Sequence, residues 1–194
     1  MSENTTHQVV TFRVGGDEFA ADIMSVERVL RYVQPTAVPN LPEWVEGVIE
    51  YEGRVIPVID LARRFEIERP SDPESSSDGG GATRRVIVFA VGEEWVGAVV
   101  DSVLEVVVIP DDRLSPPPAI FRGLSAEYLR GLVRRADAKR GGTPTSTDGA
   151  LLIFLEVERL LSATERLVLE RAMAESSGAG AAEKPRRSTR KSDG

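Results

Sequence analysis

The chain has 194 residues, 41% of them hydrophobic, with no cysteine and a single histidine. This apolar content suffices for a folded interior, and the absence of cysteine excludes disulfides, thiolate nucleophiles and zinc–thiolate sites. The net charge of −7 is uneven, because residues 176–194 carry five basic and two acidic side chains and leave −10 on the remaining body, a balance that repels phosphate backbones.

No apolar run approaches the roughly 18 residues needed to span a bilayer. The polar start, Met1 to Gln8, lacks the basic-then-apolar pattern of a secretion signal. A cytoplasmic protein is therefore expected, without direct membrane insertion and without nucleic acid as a partner. His7 falls in this polar extension and is expected to be solvated.

In chain order, Val9 to Val14 ends in Gly15-Gly16-Asp17-Glu18, a strand and tight turn, and Phe19 to Val29 forms the return. Val86 to Val91, Gly92-Glu93-Glu94 and Trp95 to Val103 repeat that hairpin. A second pair matches Leu41 to Val48 with Ser125 to Leu132, predicting capped helical turns at Asn40 and Ser125 and equivalent aromatic anchors at Trp44 and Tyr128. A third matches Val55 to Phe65 with Leu151 to Leu161, each an apolar strand entering a short helical turn. Three matched elements in one order indicate two copies of a supersecondary unit, which the short strands and Gly/Pro turns make a pair of small β-barrels.

The predicted organisation is a first barrel over about 8–68, a linker over 69–83, a second barrel over about 84–161 and a C-terminal helix over 162–175. Residues 176–194 form a disordered basic tail. Arg69 to Thr83 and Lys139 to Gly149 read as mobile connections. Ser162 and Glu165 have the spacing of a capping box at the start of the last helix.

Groups able to support catalysis are few. Asp111-Asp112 reads as a turn rather than a metal pair. Asp60, between an apolar strand and a helical turn, reads as a cap for backbone amides. Gly79-Gly80-Gly81 lacks the Gly-Lys-Ser/Thr ending of a phosphate loop. Trp44 and Trp95 read as packing residues. No enzyme activity, metal or cofactor is expected from this set.

With the repeat laid out, the residues from Val9 to about Glu175 resemble the CheW family. The most specific stretch runs from Gly47 to Leu61, GVIEYEGRVIPVIDL, beside the family's G-V-I-N-L-R-G-x-V-x-P-V-I-D-L. Val100 to Val103 resembles its V-D-x-V, and Arg130-Gly131-Leu132 its R-G-V step. The resemblance implies a mainly β fold of two tandem, SH3-like, five-stranded barrels. It also implies a groove between them for the cytoplasmic tip of a chemoreceptor, and barrel ends that bind the regulatory domain of a CheA-type histidine kinase. Which residues would meet the kinase is left open.

The chain departs from the family pattern in two stretches. The family's N-L-R stands here as Glu50-Tyr51-Glu52, and its V-x-E-V/I as Val26-Glu27-Arg28-Val29. Val26, Arg28, Glu50, Glu52 and Gly53 are thus the candidate receptor-groove residues. Reversal of both signs restores attraction, so Arg28 and Glu52 are expected to form an ion pair on adjacent strands at the groove. The alternatives to an adaptor are a structural or decoy paralogue within the array and a nucleic-acid-binding double barrel using the basic tail.

Overall fold

The computed structural model describes residues 5–69, 84–117, 128–134, 151–162, 165–166, 168–170 and 172–174. The strands are β1 (Thr6–Val14), β2 (Asp17–Asp22), β3 (Val26–Arg31), β4 (Val45–Tyr51), β5 (Arg54–Asp60), β6 (Arg85–Val91), β7 (Glu94–Val100), β8 (Ser102–Pro110), β9 (Leu114–Ser115), β10 (Leu129–Arg134) and β11 (Leu151–Leu155). One helical turn, α1 (Leu61–Arg64), follows β5. Described residues between 165 and 174 are helical. The expected capping box opens that helix: the Glu165 carboxylate accepts from the Ser162 amide at 2.8 Å, and the Glu165 amide donates to the Ser162 hydroxyl at 3.3 Å.

Two sheets result, in the orders β8-β1-β2-β11-β10-β9 and β3-β6-β7-β5-β4. In each, the chain that leaves one edge strand reaches the opposite edge and closes a barrel. Beyond β8, β9 pairs with β10; beyond β3, Thr36 bridges Val48 of β4. Each barrel holds one of the matched hairpins, but not in tandem. The central barrel, β3 to β7, is contiguous in sequence, whereas the terminal barrel is assembled from β1–β2 and β8–β11. The division at 8–68 and 84–161 is therefore corrected, since β1–β2 completes the later unit and β6–β7 the earlier one. Both hairpins present the same edge to a parallel partner, so the repeat alone does not say which unit each completes. The terminal barrel pairs Phe154 with Ala20 at the position where the central barrel pairs Val58 with Gly97.

The hairpins form the wall between the barrels, and this explains their near-continuous apolar runs. On β1, Val10, Phe12 and Val14 face a cluster shared by both barrels, while Val9 faces the terminal barrel's own core. On β6, Ile87, Phe89 and Val91 face the shared cluster, while Val86 and Val88 line the central barrel. His7 belongs to this arrangement, contrary to the solvated reading. It lies in β1, is 9% exposed, and places Nε2 3.0 Å from the Asp111 carboxylate with its ring edge-on to Phe154. Its burial comes from pairing with Ile109, which extends β1 three residues before the expected start.

Trp44 and Tyr128 are equivalent, as expected. Each precedes a bulged strand, and its carbonyl accepts at 2.8 Å from the amide of an acidic residue, Asp60 or Glu156. The turn before Trp44 is closed by the Val45 amide on the Pro42 carbonyl. Asn40 adopts a left-handed φ of 62° there in place of the expected cap. Ser125, the tail, residues 139–149 and the linker from residue 70 lie outside the described residues.

Barrel closure rests on close approach at Gly47, where φ is 142° and a Cβ would land on the Thr36 carbonyl. Gly47→Ala is expected to lower unfolding free energy by about 3 kcal/mol or more. Gly53→Ala, also at positive φ but in open space, should cost about 1 kcal/mol. Urea midpoints of the two variants give the comparison.

Candidate functional site

The five candidate residues divide between two places. Val26 begins β3 and packs on the shared cluster. Arg28 and Glu52 meet at the rim of the central barrel, 3.5 Å apart and both about half exposed. The ion pair expected between them forms, although Glu52 sits in the β4–β5 turn with φ 51° and not on a strand. The Arg28 guanidinium lies 5.9 Å from the Tyr51 ring, which packs on the central barrel's core. Glu50 is exposed on β4, and Gly53 completes the turn with φ 74°.

Exposed apolar side chains add surface that the sequence does not distinguish from core. Leu104, Val106 and Val108 alternate along β8 and are 38%, 49% and 61% exposed, so one face of this edge strand is an apolar row. Val55, on β5, is exposed as well. Hydrophobicity cannot distinguish these valines from Val86 or Val88; only the identity of the neighbouring strand does.

Two arginines hold the barrels in place. Arg64, at the end of α1, is 8% exposed and lies between two rings, 4.2 Å from the Trp44 centroid and 4.9 Å from that of Tyr128. It donates to the Tyr128 hydroxyl at 2.8 Å, to the Leu160 carbonyl and to Glu165. The paired aromatic anchors thus grip one cation, and the same cation holds the C-terminal helix. Burial pushes the Glu165 carboxyl upward, but the Ser162 amide and hydroxyl and the Arg64 charge outweigh it and hold the group below the usual range.

Arg69, assigned by sequence to the mobile linker, is instead a clasp. It donates to both oxygens of Asp60 at 2.7 and 2.8 Å and to Asp101 at 3.0 Å. Asp60 is 1% exposed and also caps α1 through the amides of Ala62 and Arg63. Asp101 in turn accepts from the Gly15 amide at 2.6 Å. The acidic residues of the PVIDL and VDSV stretches therefore converge on one guanidinium. Asp111 and Asp112 form a single 3-10 turn with Arg113, and no cluster suited to a metal occurs among the described residues. Trp44 and Trp95 pack on the shared and central cores.

A family model described as the CheW-like domain matches residues 8–165, spanning both barrels and the start of the last helix. The chain belongs to the CheW-like family. It is 32% identical over 158 residues to a probable chemotaxis protein CheW of Rhizobium etli, covering 81% of this chain and 89% of the relative. It is 29% identical over 168 residues to the chemotaxis protein CheW of Klebsiella aerogenes, covering 87% and 89%. The crystal structure of the scaffolding protein TtCheW from Thermoanaerobacter tengcongensis is similar at a TM-score of 0.65 and 25% identity, covering 84% of this chain and 93% of that one.

Within this CheW-like fold both clasps can be tested. Burial raises the Asp60 pKa, but the Arg69 hydrogen bonds and charge and the two capping amides more than reverse this, so the folded value lies below the unfolded one. The contribution is complete above the unfolded pKa of about 3.9 and is lost as pH falls through the folded pKa. Arg69→Ala should lower stability at neutral pH by about 2–3 kcal/mol. Urea titrations from neutral to acid pH should show the variant and parent converging as Asp60 protonates. Arg64→Met should cost about 2–4 kcal/mol and remove hydrogen-exchange protection selectively from the helix at 165–174.

Proposed function

We propose that the chain is a non-enzymatic adaptor that couples the cytoplasmic tip of a chemoreceptor to the regulatory domain of a CheA-type histidine kinase in a chemotaxis-like array. The observation that carries this reading is the family match across both barrels. The relatives' names as chemotaxis proteins and the solved neighbour's as a scaffolding protein support it. The β8 row and Val55 supply apolar contact surface without catalytic groups, the kind of surface an adaptor uses. The acidic body disfavours nucleic acid. No helix among the described residues is long and apolar enough to cross a membrane, and the proposed place of action is the cytoplasmic side of a receptor array.

The reversed charges at Arg28 and Glu52 give this adaptor its own receptor preference. They also support a second reading, a paralogue that fills array positions without activating the kinase. Kinase activity in arrays reconstituted with and without this chain separates the two. Co-purification with a CheA-type kinase tests what they share, and failure to bind any such kinase from the same organism would remove both.

At an exposed pair, Glu52→Arg should change folding stability by less than about 1 kcal/mol. In binding assays against a panel of receptor tips it should weaken the preferred receptor about tenfold or more. Unchanged receptor ranking would remove the role given to this pair.

A further inference from the structure

The clasp around Arg69 has a counterpart across the internal repeat. The two parallel pairings put Asp60 in register with Glu156, Gly15 with Gly92, and Asp101 with Met24. Gly15 and Gly92 share the same turn conformation, with φ 62° and 67°. In the first half, the space among these positions is filled by the Arg69 guanidinium. In the second half it is a cleft of about 390 Å³ whose lining includes Asp22, Met24, Gly92, Arg130, Glu156 and Glu158. Three acidic residues and one arginine line it, and Glu158 stands where the first half has Ala62. We propose that this cleft is a second guanidinium socket, and that its occupant is an arginine from the chain's own basic segment, Lys184 to Lys191.

Reach and charge both favour that occupant. The Arg166 guanidinium donates to the Glu158 carbonyl at 2.9 Å, which anchors the start of the last helix at the rim of the cleft. A helix over 165–174 is about 15 Å long, so Ala174 lies about that far from the anchor. Nine residues separate Ala174 from Lys184, and extended chain covers about 30 Å over that length. The segment Lys184-Pro185-Arg186-Arg187-Ser188-Thr189-Arg190-Lys191 holds five basic residues and no acidic one, opposite a net negative lining. Arg130 is 5.2 Å from the Phe154 ring centroid, with its guanidinium over the ring face. The Asp22 carboxylate accepts from the Met24 amide at 2.9 Å and keeps further acceptor capacity.

Because the chain has no cysteine, Ser188→Cys in this 194-residue chain gives one attachment point for a nitroxide. Paramagnetic loss of amide signal is expected at Ser25, Gly92 and Glu156 to Glu158, and should diminish in high salt. Glu156→Gln and Glu158→Gln should each reduce it. Met24→Asp, at a position 86% exposed, restores the second carboxylate of the Arg69 clasp and should strengthen it. Loss spread evenly over the acidic surface, loss insensitive to all three substitutions, or no loss at all would overturn the proposal. A free arginine-rich peptide shifting the cleft amides while the label leaves them unchanged would overturn the choice of occupant.

Discussion

Each hairpin's return strand pairs in parallel with a strand that leads to an acidic residue, β7 with β5, which ends on Asp60, and β2 with β11, which stops one residue before Glu156. The β2–β11 ladder ties the two ends of the chain to each other, and the β5–β7 ladder binds together its middle. With β1–β2 committed to β11 and β8, the terminal barrel cannot form until the central segment has been made and passed. The hairpins then stand back to back, and their inward residues, Phe12, Phe19, Phe89 and Val96 among them, make one cluster common to both barrels. Pulling the barrels apart would expose that cluster, so the molecule is a single cooperative body and not two linked modules.

The repeat also shows how one scaffold carries two chemistries. Where a fold duplicates, each structural role has two addresses, and departures between them mark specialisation. Trp44 and Tyr128 keep the same hydrogen bond to the residue before the helical turn, yet both serve a single cation that only the first copy supplies. Arg64 has no second-half equal because Val157–Arg159 closes that turn as a 3-10 segment and the equivalent position, just past its end, is the buried Leu160. The asymmetry gives the C-terminal helix one docking place, beside Glu165.

Much of the fold was legible in sequence because its signals are local. Hairpin turns, the Ser162–Glu165 capping box, Asp60 as an amide cap and the equivalence of Trp44 with Tyr128 each depend on a few adjacent residues. What escaped was set by partners distant in sequence. Arg69 reads as linker because its neighbours are polar, and its role exists only once β5 and the β7–β8 turn bring Asp60 and Asp101 together. His7 reads as a terminal residue until β8 supplies Ile109 and Asp111 beside it. The exchange of hairpins was invisible for the reason that made the repeat visible: two copies of one edge are interchangeable partners. The Arg28–Glu52 pair was legible as compensating charges, whereas its place in a turn was not.

The two kinds of ion pair in this protein answer to different physics. The Asp60–Arg69 pair has one partner 1% exposed and bonds to both carboxylate oxygens, so removing either partner strands a buried charge or an acceptor. Arg28 and Glu52 are 57% and 52% exposed at 3.5 Å, where solvent screening leaves about 0–1 kcal/mol. Stability therefore places almost no constraint on the sign of the second pair, while the sign of the first is fixed by the fold. A surface pair that the fold does not constrain is free to be set by whatever binds it. The same contrast separates positions 28 and 52 from Asp60 and Asp101, whose carboxylates the fold requires around Arg69. In the adaptor proposed above, charge at the rim of the central barrel would discriminate among partners through attraction and like-charge repulsion at encounter. Charge beneath it holds the barrel that carries this rim.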